Sequence, residues 1–291
     1  MTLAPDSRTR DLDGDDLARE RVAFDVRDDD FRLFRAACLM ARVAGHEPDV
    51  DAVERQVRAL AQRVRGRLHD DASWSMQLAS LLEVLFVEEG FAGEFDDYDA
   101  PENSFLDVVL ERHRGLPIAL SLVTVEVAQQ AGIDAYGIGF PGHFVVGFPT
   151  EIDGKPEVVV VDPFHKGRLL GPTELEAQLR ALGSADALDA SHLAPSTSSA
   201  ILQRMLNNLR SSYARRQDAA CLARVLSRQL LFQPSSALLH LERGQLRHEL
   251  LDDDGAHSDA STALALAGSG PQAAAARALL HMLAQHARFL N

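Results

Sequence analysis

Apolar residues recur three and four positions apart along most of this chain, the spacing of one helical face. Phe31, Phe34, Cys38 and Met40 to Val43 open the series, and Gly45 and Pro48 interrupt it. Val50, Val53, Val57, Leu60, Ala61 and Val64 predict an amphipathic second helix. Ser75–Val87 carries Leu78, Leu81, Leu82, Leu85 and Phe86 and predicts a third, ending at Gly90. Residues 91–102 read as an acidic loop. Ser104-Phe-Leu-Asp107 has the form of a capping box with aspartate in place of glutamate. It precedes a short helix with Leu106, Val109 and Leu110 on one face, which stops near Gly115.

The pattern changes at Pro117. Proline suits the first helical turn, where its missing N–H would have no partner. The segment from Pro117 to Gly132 is apolar nearly all round, as expected of a helix buried on several sides. Three strand candidates follow: Ala135–Phe140, His143–Phe148 and Glu157–Val161. Pro141-Gly142 separates the first two, and Asp153-Gly154 offers a hairpin turn before the third. A helix packed on an antiparallel sheet predicts an α+β core.

Leu169–Leu182 reads as a further helix, and Ala185–Ser199 as a polar linker. Beyond it the period stays helical. Ile201, Leu202, Met205, Leu206, Leu209 and Tyr213 form one stripe, and Leu222, Val225, Leu226 and Leu230 a second. Leu238, Leu239, Leu246 and Leu250 form a third, Ala260, Ala263, Leu264 and Ala267 a fourth, and Gln272–Phe289 a last helix. Pro234 and Pro271 are spaced close to the ~34-residue period of tetratricopeptide repeats, although the consensus tryptophan is absent. The expected organisation is an acidic arm over residues 1–28, an α+β domain over 29–195 and a helical, repeat-like region over 196–291.

Composition narrows the function classes. The chain has 291 residues, with 29 Lys+Arg against 43 Asp+Glu and a net charge of -14. An acid surplus repels phosphate backbones, so no nucleic-acid partner is expected. The arginines of Arg55–Arg67 fall mostly opposite the apolar stripe and read as a solvated helix face. No run reaches the ~18–20 apolar residues of a membrane span, and the N-terminus has no apolar signal region, so no membrane association and a cytoplasmic location are expected. Cys38 and Cys221 are too few and too far apart for a disulfide framework or a Cys-x-x-Cys zinc site. Cys38 reads as a small buried hydrophobe. Cys221 begins a helix, where a thiol pKa is lowered, and is also read as structural. No pattern in the chain sets an oligomeric state.

Three motifs stand in order between Asn103 and Leu170. Asn103-Ser-Phe-Leu leads to Arg114-Gly-Leu-Pro-Ile at the start of the apolar helix; Phe140-Pro-Gly-His143-Phe opens a strand; Val161-Asp162-Pro-Phe ends one. In this order they resemble the bacterial SirB-type transglutaminase-like proteins with C-terminal tetratricopeptide repeats. The resemblance implies a papain-like core. Catalytic members of that fold keep a cysteine at the N-terminus of the central helix and a histidine and an aspartate on adjacent strands. A helix N-terminus stabilises a thiolate, the histidine takes its proton, and the aspartate orients the imidazole.

Carried across by motif, His143 matches the histidine and Asp162 the aspartate. The helix start falls at Pro117, where there is no cysteine, serine or threonine; Ser121 lies about one turn further in. Arg114, Gly115, Pro117, Ser121, Gly142 and His165 are expected around the same cleft. The net acid charge is assigned partly to the arm and to Glu94–Asp99 rather than to that cleft. With Pro117 where catalytic relatives keep the cysteine, the expected function is a non-catalytic protein-interaction or regulatory module, acting through its cleft and helical repeats on a protein or peptide partner. The alternative is a hydrolase or acyl-transfer enzyme on peptide or amide bonds, with His143 as base for water, oriented by Asp162. His165 follows Asp162 by three residues across a proline, a spacing that gives no support to a metal site; neither metal nor cofactor is expected. His257, His281 and His286 show no partner pattern and are expected at the surface.

Overall fold

The computed structural model describes residues 33–183 and 187–290. The expected acidic arm lies outside the described residues. The chain divides into two compact units at Met205/Leu206, within one continuous helix.

The first unit opens with α1 (Leu33–Cys38) and a 3-10 turn (Leu39–Ala44), then α2 (Val50–Arg65) and α3 (Trp74–Leu82). Asp49 caps α2 by accepting the Ala52 N–H at 2.9 Å, and the predicted stripe Val53, Val57, Leu60, Ala61 and Val64 is buried. Two of the arginines opposite are paired: Arg63 and Arg67 with Glu88, and Arg63 also with Glu89. After β1 (Ala92–Gly93) come a 3-10 turn (Pro101–Ser104), α4 (Leu106–Arg112) and β2 (Arg114–Gly115). The capping box does not form. Phe105 occupies the cap with no side-chain bond, Ser104 is buried in the preceding 3-10 turn, and Asp107 pairs with His46 instead.

Helix α5 (Pro117–Ala131) is buried along almost its whole length, from Pro117 through Val125 without a break, and ends on Gly132 in the left-handed region. It packs on β3 (Tyr136–Ile138) and β4 (Val145–Ile152). With β5 (Lys155–Asp162) and β6 (Arg168–Leu170) these form an antiparallel meander, order β3-β4-β5-β6. Asp153 and Gly154, at φ 53° and 74°, make the predicted turn between Ile152 and Lys155. Strand alternation sends Ile138, Val145, Val160 and Leu170 to one core, sealed by Leu175 and Leu179 of α6 (Pro172–Ala181). Strand β6 was not anticipated. Its residues 169 and 170 read as helix, but the turn after Asp162 folds them back on β5, pairing Val160 with Leu170.

The expected linker is attached to the sheet where it is described. Ser196 donates its N–H to Gly137 O and accepts the Gly139 N–H, while Leu188 and Leu193 pack on the sheet core. Helix α7 (Ser198–Arg215) follows, with Ile201, Leu202 and Met205 buried.

In the second unit the rest of α7 is joined by α8 (Ala219–Phe232), α9 (Ala237–Glu249), α10 (Asp253–Ala267) and α11 (Pro271–Leu290). Leu241, Ala256, Ala260, Ala263, Ala276, Leu279 and Leu283 form its alanine-rich core. Leu238, assigned to the apolar stripe, is exposed; Leu239 and Leu241 take the inner face of α9.

Candidate functional site

Asp162 ends β5 and is 1% exposed. Its Oδ1 accepts the backbone N–H of Phe164 at 3.0 Å and of His165 at 3.3 Å, so the side chain closes its own turn. Gly167 completes that turn by donating to Asp162 O at 3.0 Å. It requires glycine twice over: its φ is +73°, and an added Cβ would lie 2.3 Å from the Phe86 ring. Fixing Oδ1 leaves Oδ2 to face two imidazoles. His143 Nε2 donates to it at 2.8 Å and His165 Nδ1 at 2.7 Å. The spacing argument against His165 is therefore corrected: proline bends the chain rather than extending it, and the turn brings the third residue back onto the carboxylate. Burial pushes the Asp162 carboxyl up, but the hydrogen bonds and charges of His143 and His165 outweigh it and leave its pKa below the ordinary value.

His143 lies two residues before β4, in a turn built by Pro141 and by Gly142 at φ +70°. The turn closes through His143 N–H to Phe140 O at 3.0 Å, the geometry of a type II turn. A residue not anticipated from the sequence clamps it. Arg204 of α7 donates to His143 O at 2.7 Å and Phe140 O at 3.3 Å, with its guanidinium 5.5 Å from the centre of the Phe144 ring. Arg204 sits in the first turns of a helix whose apolar period marked it only as a polar-face residue, so no local signal singled it out.

The start of α5 is held beside this turn by short backbone links. Gly93 donates to Phe164 O at 2.8 Å, and Glu94 to Gly115 O at 3.2 Å. Gly93 pairs with Gly115 in the parallel β1–β2 contact. Leu116 donates to Asn103 O at 2.9 Å, while the buried Asn103 side chain donates to Asp97 O at 2.7 Å. Asn103 thereby ties the acidic loop to the helix start, which gives the first motif a physical role. The loop lies over the site rather than apart from it. Phe95 and Tyr98 contact the Phe164 ring at centroid distances of 4.7 and 5.9 Å, and Phe95 lies 6.0 Å from His165. Both aromatics are largely exposed on their other faces. The assignment of Glu94–Asp99 away from the site is thus corrected.

Leu116, Pro117 and Ile118 occupy the helix start and are buried. Ser121 is 0% exposed and its hydroxyl donates to Phe144 O at 3.3 Å. Arg114 is exposed and bonds to the carbonyls of Gly90 and His113, not to the dyad. Gly142 is exposed, with the Leu182 side chain against it. Neither thiol is activated. Burial pushes the Cys38 thiol far above its ordinary value, with nearby carboxylates adding to the shift. Burial and the Asp218 carboxylate push Cys221 up to about 11, against the lowering expected at a helix start. A second trio joins His248, Asp253 and His286 in the helical unit, with imidazole nitrogens 2.8 and 2.6 Å from the two carboxylate oxygens. His286, expected to stand alone, is therefore paired. Among the described residues no helix is long and apolar enough to cross a membrane.

The transglutaminase-like superfamily model matches residues 51–207. The chain is similar to a UPF0162 protein of Xylella fastidiosa, 33% identical over 245 residues, which is 83% of this chain and 86% of that protein. A UPF0162 protein of Pseudomonas aeruginosa is 30% identical over 220 residues, 75% of this chain and 78% of that one. F-box only protein 21 of Mus musculus is 31% identical over 106 residues, 35% of this chain and 17% of its own length.

Proposed function

This chain belongs, with the UPF0162 proteins, to the transglutaminase-like superfamily, and from that premise we propose that it is a non-catalytic member that holds a protein or peptide segment beside the His143–Asp162 dyad. The observation that carries this reading is the start of α5. Leu116-Pro117-Ile118 offers no thiol or hydroxyl, and both positions flanking Pro117 are closed by packing. Covalent acyl transfer needs a nucleophile within reach of the base. The nearest hydroxyl, on Ser121, is buried and donates to a backbone carbonyl.

Binding has its own support. Phe95 and Tyr98 present exposed aromatic faces against Phe164, in the turn that follows Asp162, and are residue types enriched at protein interfaces. The α8–α11 helices, read as tetratricopeptide-like in the SirB-type layout, offer a second surface of the kind that helical repeats use for partners. We assign the protein to the cytoplasm on its composition. A peptide array tests the reading. Peptides should be retained, recovered at unchanged mass, and lost in the Phe95→Ala/Tyr98→Ala double variant. Recovery of cleaved or cross-linked peptide would overturn it.

One observation favours a second reading. His143 is oriented by Asp162 and remains partly exposed, at 16% of its side chain, so it could act as base for a water. Hydrolysis without a covalent step would then show as iodoacetamide-resistant turnover that His143→Ala removes.

A further inference from the structure

The dyad is one half of a larger convergence. His143 Nε2, His165 Nδ1 and an Asp162 carboxylate oxygen lie within 4.8 Å of one another. Two imidazoles and one carboxylate, with further positions open, form the donor set that zinc and iron(II) take in sites with exchangeable water. We propose that His143, Asp162 and His165 form a binding site for a divalent transition metal of the zinc class.

Three features separate this trio from a chance cluster. The carboxylate is 1% exposed, and its non-ligating oxygen is fixed by two backbone amides, the kind of outer-shell bonding that orients metal ligands. One imidazole is set by the Arg204-clamped turn, whereas the other is 49% exposed and gives the ion a route in from solvent. The rings of Phe95 and Phe164 flank His165 and limit water on that side.

The geometry needs little adjustment. Donors about 2.1 Å from a tetrahedral ion stand roughly 3.4 Å apart. The present contacts of 2.8 and 2.7 Å must open by roughly 0.6 Å. The exposed His165 side chain can supply most of that movement. Binding replaces two N–H···O bonds by metal–nitrogen bonds. The proton that each imidazole donates to Asp162 leaves the ligating nitrogen, and exchange with solvent places the ring's one proton on the other nitrogen, Nδ1 of His143 and Nε2 of His165. Two imidazole donors disfavour calcium and magnesium, which prefer oxygen ligands. The metal proposal stands on these three side chains and does not require that a peptide bind beside them.

The second trio serves as the internal control. Its carboxylate and both imidazoles are each about a third exposed, and among the described residues no backbone amide fixes one of its oxygens. Zinc titration of the full chain by calorimetry, with cobalt(II) absorption to report nitrogen ligation, tests the proposal. His165→Ala removes a half-exposed side chain, and retention of the wild-type circular dichroism confirms its fold. It should weaken zinc binding at least about 100-fold, the upper end of what loss of an outer-shell partner alone does. His143→Ala should do the same, and His286→Ala should leave that binding step unchanged. Absence of micromolar zinc binding in the wild type would overturn the proposal. So would binding that survives His165→Ala, or that is lost in His286→Ala.

Discussion

Asp162 and Asp259 are buried alike, at 1% and 2% exposed, but they gather different partners. Asp259 of α10 is clamped by permanent charges. Arg243 binds it through two nitrogens at 2.7 and 2.8 Å, Arg247 at 2.9 Å, and His240 adds a contact at 3.1 Å. Residues 240, 243 and 247 share one face of α9, at helical spacing. Gly244 lets that face approach closely, since a Cβ there would stand 3.2 Å from Asp259 Cβ. The side chains that Asp162 meets are two imidazoles, one of them half exposed, beside two backbone amides. The first arrangement fixes two helices together. The second holds a carboxylate ready while leaving its partners able to move. A buried acid alone is therefore not a sign of function; the kind of side chain around it and that side chain's access to solvent distinguish the two cases.

Removing each carboxylate is the sharpest way to break the comparison. Asp259→Ala leaves two buried guanidiniums without their shared anion and should cost about 3–5 kcal/mol, the usual cost of breaking a buried pair from one side. Asp162→Asn keeps the shape and part of the hydrogen bonding and should cost about 1–3 kcal/mol. Denaturant unfolding measures both, and an equal or reversed order would remove the distinction.

Acid should act on both sites. For Asp259, burial pushes the pKa up, but hydrogen bonds and charges from Arg243, His240 and Arg247 leave it lowered, as the imidazoles do for Asp162. A carboxyl lowered in the folded state contributes stability that is complete above its unfolded value, about 3.9, and is lost as pH falls through the folded value. Stability should therefore hold down to about pH 4 and fall below it. Asp259→Asn and Asp162→Asn should each flatten that acid limb, and an unchanged limb in both would contradict the assignment.

The smallest effects sharpen the functional side. His165→Ala should change stability by no more than about 0.5 kcal/mol, as expected for a partly exposed residue, although it removes half of the imidazole pair. The thiols should be silent. Iodoacetamide at pH 8 should modify neither Cys38 nor Cys221 in the folded chain, and both after unfolding, as read by intact mass.

Much of the scaffold was legible in the sequence because it rests on local rules. The all-apolar segment after Pro117 had to be a buried helix, and Asp153-Gly154 had to be a turn. Motif order pointed to His143 and Asp162. What escaped depended on turns and on partners distant in sequence. Residues 169 and 170 joined the sheet because the Asp162 turn reversed the chain. His165 came back to the carboxylate through that same turn. Arg204 reached His143 O across 61 positions of sequence. Ser104 lost its cap to burial, a competition between packing and local hydrogen bonding that spacing alone does not decide. The acidic loop reached the site through Asn103, whose motif was visible but whose bonds were not.

Turnover of unlabelled peptide amides by the full chain and by His143→Ala, followed by mass spectrometry with and without iodoacetamide, tests the central claim most directly. The account predicts no cleavage, deamidation or cross-link in the wild type above the buffer background. Turnover in the wild type that His143→Ala abolishes would contradict it.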